Sequence, residues 1–264
     1  MSMDTQHQKS YNVLVIGDAC TDIYQYGVCD RLSPEAPVPI LKRSREERKR
    51  GMALNVAQNL RSFGVDVKVD CNKESIKKVR IIDERAGSHL LRIDIEPEIE
   101  PLDESRYTME ALVSFDAVII SDYNKGYVTC EKAALIIETM NILDIPIFVD
   151  SKKADLRCFQ GCVIKINDKE FDRVKYFPDK TSVIVTMGKD GARLGDEVFP
   201  AVKTEMYDVC GAGDTFLASL AYKFLETQGN LEKAIKFANK CAAINVQHLG
   251  TYALTAEDVN GICV

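Results

Sequence analysis

Asp208-Val-Cys-Gly-Ala-Gly-Asp-Thr-Phe216 stands directly before a long amphipathic run. Phe216, Leu217, Leu220, Ala221, Phe224 and Leu225 recur at helical spacing, so a helix is predicted to start at the glycines. Gly211, Ala212 and Gly213 carry almost no side chain. Their backbone N–H groups can approach an anion, and the helix N-terminus adds the positive end of a dipole. Asp214 falls in the first turn of that helix. A carboxylate there can cap its own helix, or it can face whatever the glycines hold.

Upstream of this point, short apolar runs alternate with helical patterns. Asn12–Ile16 stops at Gly17-Asp18, Ala117–Ile120 at Ser121-Asp122, Ile145–Val149 at Asp150, Val163–Ile166 at Asn167, and Val183–Val185 at Thr186. Continuous apolar runs of this length read as buried parallel strands. Gly51–Phe63 and Lys132–Leu143 have helical spacing, and Leu231 to Ala242 forms a further helix face. The alternation implies an α/β domain with a mainly parallel sheet flanked by helices. Ligands of such sheets bind at the carboxyl ends of the strands, and five polar strand ends suggest a lined edge.

Two stretches break the alternation. Residues 24–43 carry Pro34, Pro37 and Pro39, with Val38–Leu41 as an edge strand, and Ile76–Ile82 with His89–Ile95 reads as a hairpin. Together, 24–43 and 76–96 are expected to form a small β lid within a single domain spanning 1–264. Arg43–Arg50 (RSREERKR) reads as a solvated charged turn, and residues 1–10 as a loose leader.

Composition excludes several classes. The 264 residues are 46% hydrophobic and 28% charged, an ordinary globular balance. Lys+Arg is 34 against 40 Asp+Glu, a net charge of −6, which disfavours nucleic-acid or anionic-membrane partners. No apolar run approaches the roughly 20 residues of a membrane-spanning helix. The polar start, MSMDTQHQKSYN, lacks a secretion signal's apolar core, so the cytoplasm is the expected compartment. The nine cysteines show no C-x-x-C spacing and read as reduced thiols, and three scattered histidines make zinc unattractive. No G-x-x-x-x-G-K-[ST] segment exists, which argues against P-loop chemistry.

The motif D-x-x-G-A-G-D-x-F and its neighbours resemble the ribokinase-like (PfkB) carbohydrate kinases. Gly17-Asp18 with Asp22 resembles that family's sugar-binding G-D-x-x-x-D, and Gly51 with Asn55 its G-G-x-x-N. Asn167-Asp-Lys-Glu170 is similar to N-x-x-E, and Thr186-Met-Gly188-Lys-Asp-Gly191 to T-x-G-x-x-G. Within the family, Arg31 to Pro39, Leu90 to Asp94, Ser121-Asp-Tyr-Asn-Lys-Gly126 and Leu249-Gly-Thr251 most resemble the heptose 7-phosphate kinases.

The resemblance implies a ribokinase-like fold, ATP with Mg²⁺, and phosphorylation of heptose 7-phosphate at its anomeric hydroxyl. It implies Asp214 as the base and Gly211, Ala212 and Gly213 as the phosphoryl cradle. Asn167, Thr186, Gly188, Gly191 and Asn239 would hold the nucleotide, and Glu170 would act on the metal through water. Asp18, Asp22, Gly51, Asn55, Asp122 and Lys125 would hold the sugar phosphate, with Arg85 and Arg92 as further cations. Lid-to-lid homodimers occur in the family and imply one here. A kinase for another sugar or a nucleoside, and a non-catalytic nucleotide- or partner-binding protein, remain open.

Two departures favour those alternatives. The family's Gly-Gly pair reads Gly51-Met52, placing bulk at the sugar edge. The link between Asp70 and Glu74 is short where relatives carry a strand–helix piece with G-x-D-x-x-G. Cys210 also stands where Thr is usual.

Overall fold

The computed structural model describes residues 10–263 apart from Lys180, so the leader lies almost wholly outside the described residues. In chain order the elements are β1 (Asn12–Gly17), β2 (Ala19–Leu32), β3 (Pro39–Met52), α1 (Ala53–Ser62), β4 (Asp66–Cys71), β5 (Ile76–Asp83) and β6 (Ser88–Ile95). Next come α2 (Met109–Leu112), β7 (Ala117–Asp122), α3 (Cys130–Ile142), β8 (Ile147–Ser151), β9 (Val163–Asn167), α4 (Asp168–Phe171) and β10 (Ser182–Thr186). The chain ends with β11 (Ala192–Leu194), β12 (Glu197–Phe199), α5 (Ala212–Glu226), α6 (Leu231–Asn245) and α7 (Ala256–Cys263).

The strands form an eight-stranded sheet in the order β12-β11-β10-β9-β8-β7-β1-β4 and a four-stranded sheet in the order β3-β2-β5-β6. In the large sheet the pairs from β4 to β10 are parallel, while β10–β11 and β11–β12 are antiparallel. The short antiparallel hairpin escaped the sequence reading because Gly191 to Phe199 holds no long apolar run.

Alternation along β1 shows how the sheet is buried on both faces. Val13 and Val15 pack into a cluster with Ala53, Val56, Leu60, Phe216 and Leu217 from α1 and α5. Leu14 and Ile16 point the other way, into a cluster with Ile136, Ile137 and Met140 from α3. Fully burying such a side chain contributes about 1.5–3 kcal/mol, so a slip of one residue would reverse both faces and is strongly disfavoured.

In the small sheet β2 pairs antiparallel with β3 and parallel with β5, and β5 pairs antiparallel with β6. The expected hairpin is present, but the first limb differs from the reading. Arg43–Arg50 is not a turn: it is the middle of β3, in register with Thr21 to Gly27. Its charges are compatible with a strand because they pair locally, Arg43 and Arg48 with Glu46 and Arg45 with Glu47 and Glu84. This limb therefore runs from Ala19 to Met52 rather than over 24–43.

After β4, the chain enters β5 directly. Asn72 secures the link: its Oδ1 accepts the Ala19 N–H at 2.6 Å and its Nδ2 donates to Glu74 O at 2.6 Å. The cysteine reading also needs correction. Cys130, at the start of α3, and Cys158, between β8 and β9, form a disulfide with Cα atoms 5.4 Å apart, a separation ordinary for such a bond. Sequence alone gave no sign of it, because the two residues meet only through the fold. No described helix is long and apolar enough to cross a membrane.

Candidate active site

The carboxyl ends of β1, β7, β8 and β9 converge on the start of α5. Gly211 caps that helix at φ 80, a left-handed conformation that glycine adopts without steric cost. A Cβ there would lie 2.9 Å from Asn55 Nδ2. Asp214 follows in the first turn and is only 4% exposed. Its Oδ2 accepts from Asn55 Nδ2 at 2.9 Å, and its Oδ1 accepts from the Tyr123 hydroxyl at 2.8 Å. Burial pushes its carboxyl up to about 6; the two hydrogen bonds oppose the shift, Asp150 adds to it, and Lys165 opposes it.

Lys165 and Asp150 form a buried ion pair at 2.6 Å. Burial alone would lower the Lys165 ammonium, but Asp150, with Glu170 and Asp214, outweighs it and raises the group. The ammonium lies where a Cβ on Gly213 would meet it at 2.8 Å. A fixed cation, a helix N-terminus and glycine backbone therefore surround one point beside Asp214, an arrangement suited to a phosphoryl group. Asp208 supports the loop. Its carboxylate accepts from Cys210 N at 3.0 Å and Gly250 N at 2.8 Å, and these bonds hold it below the usual range despite burial.

Among the expected sugar residues, Asp18 is buried at the end of β1. It accepts the backbone N–H groups of Lys125 and Tyr127 at 3.1 and 3.3 Å, and burial raises its carboxyl. Asp22 is differently occupied: Oδ1 pairs with buried Arg80 at 2.5 Å and Oδ2 accepts from Thr251 at 3.1 Å. Asn55 is fully buried and its amide holds Asp214. Gly51 packs where a Cβ would come within 2.3 Å of Asp22 Oδ2.

Asp122 is fully buried, bonded by Ser151 at 2.6 Å and by Lys153 at 2.7 Å, so it joins β7 to β8 behind the site. The ammonium of Lys125 lies on Glu96 at 2.5 Å. Arg92 pairs with Asp94 through two bonds of 2.9 Å, and Arg85 lies in the exposed turn between β5 and β6. A further cation near the site is Lys78, on β5, beside Lys152, whose ammonium stands nearer the Tyr123 ring at 4.4 Å. Lys78 has no carboxylate partner among the described residues and stands 5.3 Å from the centre of the Tyr123 ring.

Met52 corrects a further expectation. Its side chain is 2% exposed and belongs to the cluster of Leu14, Ile16, Cys20 and Ile76, so its bulk is turned into the core. Its backbone keeps the geometry that glycine would favour, φ 59 and ψ −133.

On the expected nucleotide side, Asn167 caps α4. Its Oδ1 accepts from Glu170 N, and Glu170 Oε2 accepts from Asn167 N, both at 2.9 Å. Glu170 Oε1 lies 3.3 Å from Lys152. Thr186 ends β10, and Gly188 and Gly191 bound the turn that follows it. Asn239, on α6, donates to Phe199 O at 2.9 Å, so it fixes the segment after β12.

Tyr123, Lys165, Arg80, Lys78 and Thr251 received no role from the sequence. Lys165 had a signal, a lone charge inside the apolar strand that leads to Asn167. Arg80 and Lys78 had none, since charges in a hairpin read as solvent-facing.

Residues 95–258 match the pfkB family carbohydrate kinases. The chain belongs to that family. Its members are phosphotransferases with an alcohol group as acceptor, and kinases of this class use ATP. Among curated relatives, the bifunctional protein HldE of Nitratiruptor sp. is 32% identical over 301 aligned positions, covering 94% of this chain and 64% of that protein. HldE of Vibrio parahaemolyticus is 33% identical over 311 positions, covering 96% and 64%. The chain thus spans less than two thirds of the length of these relatives. Both alignments are longer than its own 264 residues, so it lacks residues that the relatives carry. Among solved structures, phosphofructokinase-2 of Escherichia coli in complex with potassium superposes with a TM-score of 0.72 at 17% identity, covering 96% of this chain and 98% of that one. Arabidopsis thaliana ribokinase complexed with ribose and ATP gives 0.69 at 16%, covering 96% and 99%. These likenesses establish the ribokinase fold.

Proposed function

We propose that this chain transfers the γ-phosphoryl group of ATP to the anomeric hydroxyl of heptose 7-phosphate, giving heptose 1,7-bisphosphate, a precursor of lipopolysaccharide core sugar. The observation that carries the chemistry is Asp214: a buried carboxyl held up to about 6, beside a glycine-lined helix N-terminus and the Lys165 ammonium. Near neutral pH such a carboxylate is ionised and basic enough to take a proton from a hydroxyl as it attacks.

The acceptor oxygen forms the new bond to the γ-phosphorus, its proton passes to Asp214, and the bond to the β-phosphate oxygen breaks to release ADP. The N–H groups of Gly211, Ala212 and Gly213, with Lys165, stabilise charge on the phosphoryl oxygens. Asn55 fixes the carboxylate, while Asp18 and Gly51 shape the sugar edge. Asp22 and Asp122 support that edge through Arg80 and Lys153. Asn167, Thr186, Gly188, Gly191 and Asn239 shape the nucleotide side.

Mg²⁺ arriving with the nucleotide would offset phosphate charge. No group of three or more His, Cys, Asp or Glu side chains that could hold a metal exists among the described residues. Glu170 already caps α4 and faces Lys152, so its carboxylate suits contact through water.

The heptose assignment rests on the likeness of Arg31 to Pro39, Leu90 to Asp94, Ser121 to Gly126 and Leu249 to Thr251 to the heptose 7-phosphate kinases. The similarity to the HldE proteins supports it, and an acceptor phosphate is supported by Lys78. An ammonium near the site without a carboxylate partner suits an anionic acceptor, and it replaces Lys125 in that role. The small sheet then acts as a lid over a single kinase unit working in the cytoplasm. Its edge strand β6 exposes Leu91, Ile93 and Ile95 by 57%, 45% and 48%, an apolar face that a second lid would cover. Light scattering at micromolar concentration is expected to report a dimer.

The test of function is Mg-dependent ATP consumption with heptose 7-phosphate, fructose 6-phosphate, ribose, fructose and adenosine. Turnover confined to heptose 7-phosphate and lost in Asp214→Asn supports the assignment. Turnover on another acceptor keeps the kinase and removes the heptose. ATP binding without turnover on any would favour a non-catalytic protein.

A further inference from the structure

Asp214 is so enclosed that an external hydroxyl reaches its carboxylate only if a neighbour moves. Most of its surroundings are fixed. Asn55 on α1 is fully buried and bonded to Asn59, Cys20 on β2 is buried, and Asp150 on β8 is locked to Lys165 on β9. Tyr123 is different. It is only partly buried and stands on the loop between β7 and α3, where Asn124 has φ 57 and Gly126 has φ 112. Its ring lies against two ammonium groups, Lys152 at 4.4 Å and Lys78 at 5.3 Å. Its hydroxyl donates to Asp214 Oδ1 at 2.8 Å. A hydroxyl donating to a carboxylate oxygen is the contact that an acceptor makes just before it gives up its proton.

We propose that Tyr123 is a positioning residue that holds the acceptor's place on Asp214 and withdraws when the acceptor binds. The inference rests on the kinase reading above. It gives Lys78 a second part, because an anionic acceptor that draws this ammonium off the ring releases one side of the phenol. It also separates two states of the carboxylate. In the free protein Asp214 accepts from Asn55 and Tyr123; in the complex it accepts from Asn55 and the acceptor. The phenol therefore influences Asp214 only before the acceptor arrives.

The experiment is the pH dependence of turnover in Tyr123→Phe, which keeps the ring between the two lysines and removes only the hydroxyl. The acid limb of kcat/KM reports the free protein and that of kcat the complex. Losing a hydrogen bond to a charged oxygen is expected to move the kcat/KM limb upward by about one pH unit, a roughly tenfold loss on the acid side. The kcat limb is expected to stay where it is. The acceptor's own phosphate titrates alike in both proteins and cancels. Equal movement of both limbs, or of neither, would overturn the proposal. If Tyr123→Phe does not fold, Tyr123→Leu carries the same expectation. A carboxyl ¹³C titration of Asp214 in the acceptor-free protein keeps the two ideas apart. If no sugar is turned over, the kinase reading fails. The titration then judges the contact alone: a midpoint raised by Tyr123→Phe supports it, and an unmoved midpoint overturns it.

Discussion

Replacing Asp214 by Asn isolates what it costs to bury that carboxylate. The group is 4% exposed, and its carboxyl rises from 3.8 to about 6, chiefly through burial. A folded-state value above the unfolded one means that the folded protein holds the proton more tightly. The stability linked to this group is therefore complete below about pH 3.8 and is lost as pH rises through about 6. A shift of about two units at 1.36 kcal/mol each makes the loss roughly 3 kcal/mol by pH 8. Asparagine has the same shape and carries no charge, so it escapes that loss. Its oxygen can accept from Asn55, and its amide can donate to the Tyr123 oxygen. Asp214→Asn is thus expected to be more stable than the parent by up to about 3 kcal/mol at pH 8 and nearly equal to it near pH 4. On a thermal scale the pH 8 gain corresponds to roughly 6–12 °C. Urea unfolding across this pH range is the assay, run beside ATP turnover, which should fall by about 10²–10⁴-fold. A variant less stable at pH 8, or one whose advantage is the same at pH 4 and pH 8, would refute the reasoning.

Lys78→Met is expected to raise KM for a sugar phosphate about tenfold or more, the loss of one charge-assisted contact, and to leave KM for ATP unchanged. Lys125→Ala should change either by less than about twofold, because that ammonium already lies on Glu96; the opposite ranking in steady-state kinetics would return the phosphate to Lys125. At Met52, φ 59 makes glycine the better truncation than alanine. Both lose the buried side chain, at about 2–5 kcal/mol, but Met52→Gly also relieves backbone strain of about 1–3 kcal/mol. Urea midpoints should therefore place Met52→Gly above Met52→Ala, and the reverse order would deny the strain. Arg80→Ala leaves the Asp22 carboxylate buried beside Thr251 and is expected to cost about 3–5 kcal/mol. Adding Asp22→Asn should recover much of that loss, and a single-variant cost below about 1 kcal/mol would mean that water already reaches the pair.

The parts of the fold that could be read in the sequence are those with local causes. Asn12–Ile16 is a strand because an apolar run of that length can only be buried, and the helix after Gly211 announces itself by spacing. The middle of β3 was hidden because a run of charges reads as a solvated turn. Its ion pairs within the strand, such as Arg43 and Arg48 with Glu46, fit a turn equally well. Only the pairing with β2 and contacts such as Arg45 with Glu84 make it a strand. The same limit applies within the site. The types and order of Asp18, Asn55, Asn167 and Asp214 were visible, but their partners were not. Nothing in Asn55 itself says that its amide holds Asp214. Nothing in Arg80 says that it is buried on Asp22, from which it is separated by 58 positions. Contacts across such separations are products of topology, and they decide whether a polar side chain is free to meet a ligand.

That distinction bears on whether a chain shorter than its relatives can keep their chemistry. The short link lies after β4, and β4 is the outermost strand of the large sheet. The candidate machinery is set further in, at the ends of β1, β7, β8 and β9. The edge itself is closed locally: Asp70 accepts from the Tyr127 hydroxyl at 2.6 Å and from Tyr107, and pairs with Arg106 at 2.8 Å. A strand–helix piece missing beyond such an edge, as the family resemblance implies, would narrow the sheet without displacing Asp214, Lys165 or Asp18. The small sheet is held separately, by Asn72 at its entrance and by the Asp22–Arg80–Thr251 contacts at its base. The buried Asp214 carboxyl argues in the same direction. Its neighbours spend two hydrogen bonds and an adjacent ammonium on a charge that destabilises the fold at neutral pH. A protein that only bound nucleotide would have no physical use for that charge, whereas a proton acceptor requires it.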